Sequence, residues 1–271
     1  MNILVTGSSG FLGKNLRQEL YNIKEGKSSS LLVDKDIEIM ECNSKTTDEE
    51  MVKYCQKADV VYHFAAVQRP PNVEDFQRIN VGFTKNLIDW IEHYGHVGKI
   101  IFASSIQATL EGRFAGSPYG VSKKEAERLL CEFAERTKTE VLIYRFPGIF
   151  GKWGKPNYNS VVATFCHNIS RGLPIQINDA STEIELVYID DMLNEMVALL
   201  TGDEKEVPDH FRGDNWKYCY VPTSYNVTVG ELAELIYEFK EIRNTLSVPD
   251  MKNSLIRRMW ATYLSYLPES E

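Results

Sequence analysis

Nine residues near the start, Val5-Thr6-Gly7-Ser8-Ser9-Gly10-Phe11-Leu12-Gly13, do most to restrict what this chain can become. An apolar run from Asn2 to Val5 leads into three glycines at every third position, and a helical pattern opens at Phe11. A strand that turns this tightly into a helix needs glycine where the backbone bends and where helix and strand touch. The rhythm recurs downstream. Asp59 to Phe64 precedes a helical stretch over 76–94, Lys99 to Ala103 precedes one from Tyr119, and Val141 to Arg145 is a further apolar run. Strands alternating with helices predict βαβ units, hence an α/β fold built on a Rossmann-type doubly wound parallel sheet. In the helix over 119–135, Ala126, Leu129, Leu130, Phe133 and Ala134 recur at helical spacing, so one side packs on the sheet or on a partner subunit.

Past about residue 150 the rhythm loosens into Gly/Pro/Asn-rich stretches, Gly151 to Asn159 and Gly202 to Asn226, with helical patterns at Asp191 to Leu200 and Thr228 to Lys240. Thr228 and Glu231 have capping-box spacing. The expected organisation is a dinucleotide-binding Rossmann domain over 1–150 and a smaller substrate-binding lobe over 151–271, with some chain returning to the Rossmann core.

Charge and cysteine usage exclude several functions. A net charge of -8 without a basic stripe argues against nucleic acid as a partner. Five cysteines (Cys42, Cys55, Cys131, Cys166, Cys219) with no Cys-x-x-Cys pair argue against a disulfide framework and against a metal site. The first strand begins at residue 2, leaving no room for a signal peptide, and no apolar run reaches the ~18 residues of a membrane span. The expectation is a cytoplasmic protein with no membrane partner.

The glycine loop follows a strand and opens a helix, which is the setting of a dinucleotide turn. Gly7 and Gly10 let the backbone approach a pyrophosphate. Gly13 lets helix and strand close up, with Thr6, Phe11 and Leu12 completing the turn at the helix N-terminus. Asp34 stands at a tempting distance for a ribose-binding acid, but a strand ending there would meet Ile37 to Cys42 after two residues, too short for a parallel crossover. Ile37 to Cys42 is therefore the second strand, and Asn43, Ser44 and Lys45 face the adenosine ribose. No carboxylate there claims a 2′-hydroxyl, and Lys45 suits a 2′-phosphate, so NADP is favoured over NAD; a solvated surface lysine is the alternative for Lys45.

Strand Ile100 to Ala103 runs into Ser104-Ser105, and Tyr119-Gly120-Val121-Ser122-Lys123 opens the next helix. Tyr119 and Lys123, four apart, share one helix face, so the ammonium can stabilise a phenolate beside it. Tyr-x-x-x-Lys alone is common; after a glycine loop and a serine at a strand end it specifies Ser105, Tyr119 and Lys123 as the catalytic set of a carbonyl reductase.

Thr6-Gly7-x-x-Gly10-x-x-Gly13, His63-Phe64-Ala65-Ala66, Asn80, Ser104-Ser105, Tyr119-x-x-x-Lys123, Arg145-Phe146-Pro147 and Val187-Tyr188-Ile189-Asp190-Asp191 together resemble the extended short-chain dehydrogenase/reductase superfamily across nearly the whole chain. The resemblance implies that Ser105 hydrogen-bonds the substrate oxygen, Tyr119 moves the proton and Lys123 also binds the nicotinamide ribose. It places Ala65 and Ala66 at the cofactor and sets Pro147 and Ile149 against its carboxamide. It also implies a homodimer through the helices at 76–94 and 119–135. His63, at a buried strand end, is read as packing.

A narrower resemblance rests on Ser105-Ile106-Gln107-Ala108-Thr109, Phe150 to Val161, Ala163-Thr164-Phe165-Cys166 and Thr262 to Pro268. These segments are similar to the CapF/WbjC-type reductases of bacterial capsule and O-antigen synthesis. That family reduces the C4 ketone of UDP-2-acetamido-2,6-dideoxy-hexos-4-uloses with NADPH and carries a C-terminal cupin epimerase domain; this chain stops where a cupin would begin. The expected substrate-facing residues are Gln107, Asn157, Asn159, Lys155 and Arg171, with Lys152 also able to meet the diphosphate and Trp153 either packing or stacking. A dehydratase needs an acid and a base beside Ser105, and Ile106-Gln107 supply neither. An NAD-dependent nucleotide-sugar epimerase and a non-catalytic NADP-binding sensor are the alternatives.

Overall fold

The computed structural model describes residues 1–28, 35–158, 160–208 and 212–269, so Asp34 and Asn159 lie outside the described residues. In chain order the elements begin with β1 (Asn2–Thr6), α1 (Phe11–Lys24), β2 (Glu38–Cys42), α2 (Asp48–Lys57), β3 (Val60–His63), α3 (Gly82–Tyr94), β4 (Lys99–Ser105), α4 (Pro118–Thr137) and β5 (Glu140–Phe146). They continue with β6 (Gly148–Phe150), α5 (Val161–Ser170), β7 (Glu183–Tyr188), α6 (Ile189–Ala198), β8 (Trp216–Cys219), β9 (Tyr225–Thr228), α7 (Val229–Thr245) and α8 (Ser254–Leu264). The chain divides into two units, residues 1–146 with 193–220, and residues 147–192 with 221–271.

In the first unit six strands form one sheet in the order β2-β1-β3-β4-β5-β8, every neighbouring pair parallel. This is the expected doubly wound α/β architecture. The strand order reverses between β1 and β3, and a doubly wound sheet opens its ligand crevice outside the strand ends at that point. The register sets Thr6 of β1 against Cys42 of β2 and His63 of β3, so three strands end side by side there. Leu4, Val61, Ile100, Phe102, Val141 and Ile143 from the strands pack with Leu87, Ile91, Ala126, Leu130 and Phe133 from the helices. These contacts are what the near-continuous apolar strands of a buried parallel sheet require. The returning segment 193–220 is tied in by polar bonds as well. Tyr62 donates to the Met196 carbonyl (2.6 Å), and Tyr144 donates to Glu195 (2.7 Å).

The helical stretch expected over 76–94 has two parts, a π-helical turn at Phe76–Val81 and then α3. Its cause is visible at Asn80, whose amide accepts from the Val67 amide (2.8 Å) and donates to the Val67 carbonyl (3.0 Å) and to Ser122 (2.9 Å). The wider turn swings this side chain out of the regular ladder to bind the neighbouring loop and α4. Helix α2, which the apolar pattern leaves unmarked, opens with a complete capping box between Thr47 and Glu50.

The second unit holds a three-stranded sheet, β6-β7-β9, with β6 parallel and β9 antiparallel to β7. Phe150, Phe165, Cys166, Leu186, Ile236, Phe239, Met259 and Tyr263 form its core. The sequence shows two helical patterns past residue 150, whereas the chain forms α5 and α8 in addition to α6 and α7. Helix α5 is buried along most of its length. Helix α7 opens with the expected Thr228/Glu231 capping box.

Candidate active site

The loop after β1 is shaped by steric necessity at two glycines. Gly7 has φ +68°, and a Cβ there would lie 2.8 Å from the Ala65 nitrogen, so only glycine lets this turn and the segment after β3 meet. A Cβ on Gly13 would lie 2.2 Å from the Gly7 carbonyl oxygen, so α1 can close onto the loop only without a side chain. Helix α1 starts at Gly10 without a side-chain cap and has no acidic residue in its first turn, leaving first-turn N–H groups for an anion. Both the Ser8 amide and its hydroxyl donate to the Cys42 carbonyl (3.0 and 3.1 Å). That pair brings the end of β2 against the loop. Asn43, Ser44 and Lys45 follow at once in a turn closed by the Asn43 carboxamide on the Lys45 amide (3.0 Å). Glu41, the nearest carboxylate on β2, is engaged by Arg17 (2.5 Å) and Tyr21 (2.9 Å) of α1.

Beneath the loop His63 joins three elements. Thr84 gives its own proton to the Asn80 carbonyl, so it accepts from His63 Nε2 (2.9 Å). Thr6 Oγ1 accepts from the Ala65 amide and keeps its own proton to donate to His63 Nδ1 (2.9 Å). The network assigns a neutral imidazole protonated at Nε2. Burial, reinforced by the charge of Lys123, pushes its pKa down to about 3. His63 thus packs and hydrogen-bonds between β1, β3 and α3.

Strand β4 delivers Ser105, and α4 delivers Tyr119 and Lys123 on its buried face. Ser105 Oγ accepts from the Gln107 amide (3.2 Å), which leaves its O–H to donate. Ser117 caps α4 through the Gly120 amide (3.1 Å) and donates to the Gln107 carboxamide (2.8 Å). Lys123 is 1% exposed, its Nζ 4.3 Å from the centre of the Phe102 ring. Burial pulls its pKa down to about 7, and the charge of Glu127 opposes that fall. A buried lysine and a phenol on one helix face, with a serine at the adjoining strand end, can donate a proton to a carbonyl oxygen and recover it.

Two residues were missed by the sequence reading. Gly120 sits where a Cβ would come 2.2 Å from the Gln107 carbonyl oxygen, so it permits α4 to start against the turn that carries Ser105. Its signal was the glycine directly after Tyr119. Gln68 donates to the Tyr119 hydroxyl (3.4 Å) from the loop after β3, and no local pattern marks it.

The structure therefore gathers Thr6, Gly7, Gly10, Phe11, Leu12, Gly13, Asn43, Ser44, Lys45, Ala65 and Ala66 around the β1/β3 switch point, and Ser105, Gln107, Tyr119 and Lys123 around β4 and α4. Pro147, Ile149, Lys155, Asn157 and Arg171 belong to the second unit. There Asn157, at φ +54°, pairs its carboxamide with that of Asn168 (3.4 Å). Exposed Lys155 lies 5.0 Å over the Tyr158 ring, and Lys152 faces Asp190 (3.7 Å). Trp153 is 43% exposed in a left-handed backbone conformation. Arg171 donates to the Tyr266 carbonyl (2.6 Å), while the Tyr266 hydroxyl donates to the Gly154 carbonyl (2.7 Å). Arg171 thereby supports the segment that carries Lys155.

Residues 3–212 match the model of the NAD dependent epimerase/dehydratase family. The chain is 37% identical over 99% of its length to UDP-2-acetamido-2,6-beta-L-arabino-hexul-4-ose reductase of Pseudomonas aeruginosa, of which it covers 66%. It is also similar to the capsular polysaccharide assembling protein CapF of Staphylococcus aureus, with a TM-score of 0.82 and 36% identity over 100% of this chain and 66% of that one. A UDP-glucose 4-epimerase of Vibrio cholerae is 29% identical over 85% of this chain and 73% of its own length. The chain thus spans about two thirds of the first two proteins.

Proposed function

Because the chain belongs to the NAD dependent epimerase/dehydratase family, we propose that it reduces the C4 ketone of a UDP-2-acetamido-2,6-dideoxy-hexos-4-ulose with NADPH, in the synthesis of a capsule or O-antigen sugar. The observation that carries this reading is the placement of Tyr119 and buried Lys123 on one face of α4, with Ser105 at the end of β4. Likeness to a reductase named for a 4-keto UDP-sugar supports the substrate class.

The residues present fit a dinucleotide, since the side-chain-free cradle at Gly7 and Gly13 and the uncapped start of α1 suit a pyrophosphate. Thr6, Gly7, Gly10, Phe11, Leu12 and Gly13 would hold it there, with Asn43, Ser44 and Lys45 at the adenosine ribose, Ala65 and Ala66 beside them, and Lys123 at the nicotinamide ribose. The bound cofactor supplies a hydride. Ser105 orients the substrate carbonyl, Tyr119 hands its phenolic proton to the oxygen as negative charge grows there, and Lys123 stabilises the phenolate left behind. Lys155, Asn157 and Arg171 are proposed to meet the UDP moiety, and the enzyme to act as a cytoplasmic homodimer. Among the described residues no helix is long and apolar enough to cross a membrane.

The second reading, an epimerase that keeps and recycles NAD, draws on the Vibrio cholerae relative. One anaerobic incubation with NADPH and a 4-keto UDP-sugar separates the readings. Stoichiometric NADPH oxidation with formation of the 4-hydroxy sugar is expected. Epimerised sugar without net oxidation would replace the reductase with the epimerase, and cofactor binding without conversion would make the protein a sensor.

A further inference from the structure

Helix α4 carries a third buried ionisable group that the reaction does not touch. Tyr119, Lys123 and Glu127 follow one another at four-residue steps, about one helical turn each, and Glu127 is 2% exposed. Three strands, β4, β5 and β8, each give it a donor. From β4, Ser104 donates to Oε1; from β5, Arg145 donates through Nε to Oε1 (3.0 Å) and through an Nη to Oε2 (2.6 Å). From the edge strand β8, Tyr218 donates to Oε2 (3.0 Å), accepts from Arg145 (3.0 Å) and lies 4.4 Å beneath its guanidinium. A buried ion pair with this many bonds is poorly explained as a source of stability, because apolar side chains of similar volume often serve the fold as well. What apolar residues cannot supply is a fixed negative charge.

That charge acts one turn away, on Lys123. Against Lys123 lie Phe102 of β4 and His63 of β3, with Tyr119 and Glu127 one turn away on either side along its own helix. Phe102 offers only its ring face, and His63 is neutral. Cys131, one turn beyond Glu127, has its thiol pushed up to about 12 by burial and is neutral too. Burial works against the ammonium of Lys123 while Glu127 works for it. The clamp has a second consequence, since Ser104 directly precedes Ser105, so the same carboxylate pins α4 to the strand end that carries the serine.

We infer that Glu127, clamped by Ser104, Arg145 and Tyr218, is a positioning residue that holds Lys123 as an ammonium beside Tyr119 and thereby sets the alkaline limit of the reaction. The inference rests on the assignment of Tyr119 and Lys123 as the proton-transfer pair. Its test is the pH profile of kcat/KM for Glu127→Gln with NADPH and the 4-keto UDP-sugar. The alkaline limb is expected to move down by about one pH unit or more, a tenfold change in ammonium fraction at fixed pH, with a much smaller loss on the acid plateau. An equal loss at every pH would assign Glu127 to the fold alone and overturn the inference. Should Glu127→Gln fail to fold, the double variant Glu127→Leu/Arg145→Met removes both charges and keeps the volume. Titration of the Lys123 side chain by NMR, without substrate, is then expected to show a smaller downward movement, because the more distant positive charge of Arg145 goes with the carboxylate, and an unmoved titration overturns the inference. Tyr119→Phe separates this failure from that of the underlying assignment. If Tyr119→Phe turns over normally the catalytic pair is wrong, whereas an inactive Tyr119→Phe with an unmoved limb in Glu127→Gln rejects only the role of Glu127.

Discussion

Replacing Tyr119 by phenylalanine removes one oxygen and leaves nearly everything around it. The ring is 9% exposed and packs 6.0 Å from that of Phe76, contacts that phenylalanine retains. The hydroxyl accepts from Gln68 (3.4 Å), a bond whose loss is expected to cost about 1 kcal/mol of stability. The effect on turnover is of another order. A positioned acid contributes 10²–10⁴ in rate, about 2.7–5.5 kcal/mol of barrier, and neither Ser105, whose alkyl hydroxyl is a far weaker acid than a phenol, nor buried neutral His63 can replace it. The glycine loop and Lys123 are untouched, so NADPH affinity is expected to change by less than about threefold, below the 1.4 kcal/mol that marks tenfold. Stopped-flow reduction of the 4-keto sugar and fluorescence titration of the cofactor measure the two quantities on one preparation. Turnover within tenfold of wild type would refute the assignment of Tyr119 as the acid. Lost turnover together with lost cofactor binding would refute the claim that the phenol acts on the substrate alone.

NADPH is expected to bind at least about tenfold more tightly than NADH, about 1.4 kcal/mol, since the nearest carboxylate, Glu41, is engaged by Arg17 and Tyr21; equal affinities by calorimetry would remove Lys45 from the site. Gly13→Ala forces a methyl to 2.2 Å from the Gly7 carbonyl, so an overpacking cost of about 1–3 kcal/mol and loss of NADPH binding should appear in thermal melts and titrations; an unchanged melt and affinity would show that α1 need not close on the loop. His63, at about 3 when folded against about 6.5 when unfolded, leaves the unfolded chain holding the extra proton between those values. Stability should therefore fall as pH drops below about 6.5, at up to about 1.4 kcal/mol per unit from this group. Urea midpoints at pH 7, 6 and 5 should slope less in His63→Gln, and equal slopes would contradict the buried neutral imidazole. Lys155→Ala is expected to raise KM for the UDP-sugar severalfold at unchanged kcat, because diphosphate binding is equal in ground and transition states; an unchanged KM would place the diphosphate elsewhere.

What the sequence determined by itself is local. Glycines at 7, 10 and 13 after an apolar run report a backbone that must turn and be approached closely, and alternating patterns over 1–146 report strands shielded by helices. Spacing of four residues puts Tyr119 and Lys123 on one helix face whatever the rest of the chain does. The Thr228 cap was legible for the same reason, since it depends on neighbours within about one turn, while the parallel sheet was implied by the alternation of strand and helix patterns that its crossovers require. Interactions between distant residues left no comparable trace. The π-helical turn at Phe76–Val81 follows from Asn80 reaching Val67 and Ser122, 13 and 42 residues away. The bond from Arg171 to the Tyr266 carbonyl, 95 residues on, has no trace in the sequence either. Glu127 reads in sequence as one more charge on an amphipathic helix. Only the packing of α4 on β4, β5 and β8 turns it into a carboxylate held by Ser104, Arg145 and Tyr218. Burial and partner choice decide what a charged side chain does, and both are properties of surfaces that meet only once the chain has folded.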